Sequence, residues 1–180
     1  MSGYTALSII ESLWKHTVSL YQSGNREPAS YFSTEQTEIM RAHGLKVMDF
    51  YDYAEDFVSE GEPDFATFIA VHSIRRSYFL IEQKATWTDQ DINIADLPAK
   101  YDEIEGIRWL PRILPKARGK LQGTLPPEIM YGCSGDRYFF KVLGLHPAEF
   151  LEVVWRAGSD DHKVVDYVKT RAAAFQAVNG

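Results

Sequence analysis

Four groups of residues have the types and spacing that chemistry needs. The first is Cys133 in the run Tyr-Gly-Cys-Ser-Gly-Asp-Arg, with Asp136 and Arg137 close behind it. It precedes a predicted helix, and reactive thiols often sit at helix N-termini because backbone N–H groups favour the thiolate. A nucleophile also needs a base. No histidine is adjacent, so His146 or His162 would have to arrive through the fold. The plainer alternative is a small buried residue at a tight turn. The second group is His72, Arg75 and Arg76. His72 falls on the apolar face of its helix, where a histidine serves either as a hydrogen-bonded core residue or as a base. The planar guanidiniums suit a phosphate or carboxylate ligand. They would equally pair with Asp52, Glu55 or Asp56 across a helix hairpin.

The third group is basic. Arg108, Arg112, Lys116 and Lys120 recur every four residues, with Arg118 between them. On one continuous helix they form a stripe that could grip an anion or nucleic acid. The alternative is docking onto acidic parts of the same chain. Only Trp109 offers a base-stacking surface within the run. The fourth group is Asp49, Asp52 and Asp56, flanked by Glu55. Carboxylates at steps of three and four hold a divalent ion when another helix adds a ligand, for which His72 is available. There is no Glu-x-x-His pair, and a solvent-facing or arginine-paired surface explains the spacing as well.

These residues need elements to position them. Leu7, Ile10, Trp14, Val18 and Tyr21 predict a helix over 6–22. Ser33 and Gln36 form a capping box for a second, which Gly44 stops. A third covers 46–60, with Val47, Tyr51, Ala54 and Val58 on one side, and ends at Gly61 and Pro63. Asp64 caps a fourth over 65–84, which faces inward with Phe65, Phe68, Ile69, His72 and Phe79. Residues 85–105 lack a sustained period, and only Asp91–Ile94 resembles a strand. Leu110, Ile113, Leu114, Ala117 and Leu121 mark the next helix, and Gly123–Pro127 a turn. A short helix follows over 136–143, stopped by Gly144. Pro147 opens another that runs to Ala157. Ser159 caps the last, with Val164, Val168, Ala172 and Phe175 inward.

The expected fold is therefore all-α, a bundle of about seven or eight helices. Its parts are an N-terminal helical subdomain (1–84), an irregular connector (85–105) and a C-terminal helical subdomain (106–180). Gly44-Leu45 and Gly144-Leu145 sit in similar surroundings, with Phe50 and Phe150, and Asp49 and Glu149, at equal offsets. That points to two similar three-helix units.

Composition bounds the rest. The chain has 180 residues, 45% hydrophobic and 24% charged, as a globular protein does. A net charge of −6 argues against a nonspecific nucleic-acid coat. One cysteine excludes an intrachain disulfide and fits a reducing compartment. No apolar run reaches the roughly 20 residues that span a bilayer. Residues 1–15 lack the pattern of a signal peptide. The expected location is cytoplasmic. The charge is uneven: residues 1–105 carry −10 and residues 106–141 carry +5.

Residues 106–168 resemble a known family. The segments LPRILPKARGKLQGTL, CSGDRYFFKVLGL and FLEVVWRAGSDDHKVVDYV resemble the bacterial domain-of-unknown-function family numbered 5069. The matching features are Leu110-Pro111-Arg112, Lys116-Ala117-Arg118, Cys133, Asp136-Arg137, Phe139-Phe140 and Leu143-Gly144. Pro115 departs from the pattern, which has an acidic residue there, and a proline strains a continuous helix. The resemblance implies a fold and no activity.

No complete catalytic constellation, phosphate-binding loop or paired Cys-x-x-Cys is present, and no cofactor is expected. The leading expectation is a noncatalytic helical binding or protein-interaction module. One alternative is an enzyme or binding protein for an anionic small molecule, using His72, Arg75, Arg76, Arg112, Lys116, Cys133, Asp136 and Arg137. The other is nucleic-acid binding through residues 108–120.

Overall fold

A computed structural model describes the backbone of residues 3–88 and 90–179, and the side chains from Leu7 to Val178 apart from Asp89. Helix makes up 67% and strand 2%, as the all-α expectation requires. The chain forms two compact units, one reaching to Ala85 and the other starting at Thr86.

The first unit contains α1 (Gly3–Gln22), α2 (Thr34–Ala42), α3 (Val47–Glu60) and α4 (Phe65–Ile81). α1 buries Ile10, Leu13, Trp14, Thr17 and Tyr21, whereas Leu7 is exposed and Val18 half-buried. The buried stripe is thus rotated from the one that hydropathy predicts. Thr17 goes inside because its hydroxyl donates to the Leu13 carbonyl at 2.8 Å, which removes the penalty of burying it. Ser33 and Gln36 cap α2 reciprocally, as expected. At Gly44 the chain turns left-handed, with φ +74°, and the Leu45 N–H reaches back to the Met40 carbonyl. α3 turns Phe50, Tyr53 and Ala54 inward rather than Val47, Tyr51 and Val58, which are half-buried. α4 begins where Asp64 accepts the Thr67 N–H and buries Phe68, Val71, His72, Arg75 and Phe79. Phe68 is the hub: ring centroids of Trp14, Phe50 and His72 lie 4.6, 5.0 and 4.1 Å from its own.

The second unit starts with the irregular stretch. Asp91–Ile94 forms no strand; the Ile92 N–H is used instead on the Thr124 carbonyl at 2.8 Å. A short turn of 3-10 helix follows at Ile94–Asp96. The chain then makes a small antiparallel hairpin, β1 (Glu103–Ile104) and β2 (Ile107–Arg108). Its two turn residues, Glu105 and Gly106, both have positive φ, the geometry that two-residue hairpins demand. α5 (Leu110–Gln122) runs unbroken through Pro115. An interior proline costs about 3 kcal/mol, and burying Ile113, Leu114, Ala117 and Leu121 on one face offsets it. α6 (Ser134–Leu143) starts two residues before the predicted point, with Cys133 at its N-cap. α7 (Pro147–Ala157) opens on its proline as expected. α8 (Asp161–Asn179) is capped by Asp160 rather than Ser159, its carboxylate accepting backbone N–H groups of Lys163 and His162. Val164, Val165 and Val168 are buried, Ala172 is half-buried and Phe175 is 37% exposed.

The two units follow one plan. The buried positions of α1 recur one hundred residues later in α5 as Leu110, Ile113, Leu114, Ala117 and Leu121. Phe50 and Phe150 are both fully buried. Asp49 and Glu149 each accept the N–H of the residue that caps their helix, Lys46 and His146. Gly44 and Gly144 are both left-handed, and a Cβ on either would strike an aromatic ring, Phe79 or Phe175. The likeness extends over four helices, one more than the glycine pattern implies.

Glu149 also ties α7 to α8. Tyr167 donates to it at 2.6 Å and Arg171 at 2.8 Å, and Arg171 continues to the Gly144 carbonyl. Burial opposes ionisation of Glu149, but the Tyr167, Arg171 and His146 bonds overcome it and hold its carboxyl below the usual value. A depressed carboxylate stabilises the fold above the unfolded-state pKa, and that contribution disappears as pH falls through the lowered folded value. Glu149→Gln should therefore cost about 1 kcal/mol at pH 7 and nothing at strongly acidic pH. Thermal melts of both proteins across that range check this; a pH-independent difference would disprove it.

Candidate functional site

The start of α6 gathers most of the polar chemistry of the second unit. Asp136 is fully buried and accepts three donors: Lys116 Nζ at 2.5 Å, Trp109 Nε1 at 2.9 Å and the Gly132 N–H at 2.9 Å. Lys116 is 3% exposed and also reaches Cys133 Sγ at 3.3 Å. Arg137 donates to the Gly132 carbonyl at 2.8 Å. α5 thus supplies the cation, α6 the carboxylate, and the turn between them the thiol. Trp109 holds a left-handed backbone (φ 71°), which is strained for a bulky residue. Its ring fills the space where Gly135 lacks a Cβ, and its indole N–H is fixed by Asp136. Chemically, the cluster sets an ammonium beside a partly exposed thiol at a helix start. Among the described residues no histidine bonds to Cys133: His146 Nδ1 accepts the Ala148 N–H, and His162 lies exposed on α8.

In the first unit His72 is 2% exposed. Its Nδ1–H donates to the Phe68 carbonyl at 2.6 Å, and Nε2 lies 3.6 Å from Asp49. Arg75 is buried too, donates to Gln83 at 2.6 Å and lies 5.2 Å over the Phe79 ring. Burial pushes its guanidinium down to about 10, against the opposing pull of Asp49. Arg76 is half-buried. Asp49 caps α3, and Glu55 accepts the Tyr21 hydroxyl at 2.8 Å, so two members of the acidic group are engaged locally. Burial, reinforced by Glu55, raises the Tyr21 and Tyr51 hydroxyls above their usual range. Among the described residues no set of three His, Cys, Asp or Glu side chains is placed to hold a metal ion.

The basic run is split by the fold. Lys116 and Lys120 are buried, Arg112 donates to the Pro98 carbonyl at 2.7 Å, and Arg118 pairs with Asp161 on α8. Arg108 is exposed, 6.0 Å over the Tyr101 ring. Spacing of four put these residues on a stripe, but it could not show that the stripe turns partly inward.

An open cleft of about 510 Å³ lies elsewhere, between Thr88 with the segment 90–97 and the C-terminal half of α5 with Thr124. None of the sequence-derived site residues lines it. Nothing in the local sequence marks it except the turn signal at Gly123–Pro127.

Among the described residues no helix is long and apolar enough to cross a membrane. No curated protein and no solved structure matches the chain. The profile of one protein family does match, over residues 95–178, taking in the hairpin and nearly all of α5 to α8. That is wider on both sides than the motifs at 106–168. Residues 95–178 are therefore a DUF5069 domain, a domain of unknown function.

Proposed function

We propose that this protein is a noncatalytic helical binding module. The observation that carries the reading is the closure of its chemical groups on one another. Lys116 is taken by Asp136, Arg118 by Asp161, Arg112 by the Pro98 carbonyl and Arg137 by the Gly132 carbonyl. Asp136 has no exposed surface to offer a substrate. A catalytic site needs groups held in position yet open to the reacting atoms. Nucleic-acid binding through 108–120 draws little support, because two of the cations in that run are buried.

The second reading, an enzyme or binder for a small anion, is favoured by one geometry: Lys116 Nζ lies 3.3 Å from Cys133 Sγ. One experiment separates the two. The full chain is titrated with a library of small amines, acids and polyols while its amide NMR spectrum is followed, before and after Cys133 is alkylated with iodoacetamide. A binding module gives saturable shifts, returns the ligand chemically unchanged and keeps its affinity within about twofold after alkylation, since 0.4 kcal/mol is a small change. Consumption of a compound that stops on alkylation would defeat this reading and establish the enzyme.

A further inference from the structure

We infer that the cleft beside α5 binds a small aliphatic polyammonium ion; this rests on the binding-module reading and names its ligand class. The cleft, about 510 Å³, is of a size that holds one small ligand. Among the described residues its lining contains the carboxylates Asp91 and Asp96 and no lysine, arginine or histidine. An anion would enter without a counter-charge, whereas a cation meets one. Asp96 is exposed, and among the described residues no cation pairs with it.

Thr124 supplies an independent observation. It is 4% exposed and lines the same cleft. Its N–H donates to the Gly119 carbonyl at 2.9 Å, and its carbonyl accepts the Ile92 N–H at 2.8 Å. Its backbone is fully used, yet among the described residues its buried hydroxyl has no hydrogen-bond partner. Leaving such a group unmade costs about 1–3 kcal/mol. A hydroxyl oxygen readily accepts from an ammonium N–H, which has donors and no acceptor to waste. Between these polar points the walls are apolar, formed by Ile92, Leu97 and Pro115. Methylenes of an aliphatic chain pack there while its charged ends meet Asp96 and the Thr124 hydroxyl. The walls are held in place, since Ile92 packs beside Gly119, where no Cβ intervenes.

The test uses spermidine, titrated calorimetrically into the full chain, into Thr124→Val and into Asp96→Asn. Sorbitol and citrate serve as neutral and anionic comparisons. Spermidine should bind one-to-one and saturably. Asp96→Asn should weaken it about tenfold, the equivalent of 1.4 kcal/mol, and Thr124→Val several-fold. Thr124→Val should melt no lower than the parent, because the isosteric change removes an unsatisfied hydroxyl. Equal spermidine affinity in all three proteins would show generic attraction to an acidic surface and overturn the proposal. Saturable sorbitol or citrate binding at the cleft amides, with none by spermidine, would overturn the cationic assignment and leave the binding-module reading standing. Substrate turnover dependent on Cys133, with spermidine still bound as above, would do the reverse.

Discussion

Replacing Asp136 with alanine destabilises the second unit by about 3–5 kcal/mol, the usual cost of stripping the partner from a buried charge. The carboxylate is fully buried and answers three donors, so its loss leaves the Lys116 ammonium with only the Cys133 sulfur, and takes the acceptor from the Trp109 indole N–H and the Gly132 N–H. Folded domains are stable by only about 5–15 kcal/mol, so this is a large fraction of the total. The attraction between the two charges is not what makes the loss large. Desolvating both ions consumes most of that attraction, and an apolar pair of similar volume often does as well. The double replacement Lys116→Met with Asp136→Leu should therefore recover the part of the loss that comes from the stranded ammonium, while the Trp109 and Gly132 N–H groups stay without their acceptor. Hydrogen exchange of the α5 and α6 amides measures both. A single variant within about 1 kcal/mol of the parent would mean that the ammonium finds water or another acceptor, and would remove the buried-pair account.

Phe68→Ala should lower the stability of the first unit by a comparable amount, about 3–5 kcal/mol, through packing alone. Phe68 is fully buried, with the rings of Trp14, Phe50, Tyr53 and His72 between 4.1 and 5.6 Å from its own. The His72 bond goes to the backbone carbonyl of Phe68, which alanine retains, so no polar group is orphaned. Phe68→Leu keeps much of the volume and should cost less than about 1.5 kcal/mol. Hydrogen exchange of the α1, α3 and α4 amides reports on this unit by itself. Equal losses for leucine and alanine would show that shape, not cavity formation, governs the site.

Features set by neighbours in sequence were legible. The Ser33–Gln36 box, the glycine stops and the opening proline of α7 depend on backbone groups within a few residues, and all appear in the structure. Features set by distant partners were not. Hydropathy ranks Val18 above Thr17 for the interior of α1, because it does not register that a threonine hydroxyl can be satisfied by the carbonyl one turn back. Lys116 reads as part of a basic stripe that could grip an anion, because its acceptor stands 20 residues on, across a turn whose course the sequence does not give. Cys133 and Asp136 were singled out on local grounds, and the structure brings them together with Lys116 and Trp109. The cleft escaped notice because Thr124 is an ordinary turn residue until Ile92 and Gly119 occupy its backbone.

The glycine that ends the second helix of each unit shares its space with an aromatic ring from that unit's closing helix, Gly44 with Phe79 and Gly144 with Phe175. Size at either position is thus half of a joint quantity. Among descendants of this chain the members of each couple should drift together: a lineage acquiring a side chain at 44 or 144 must first trim the ring facing it, so the order of the two changes is constrained as well as their identity.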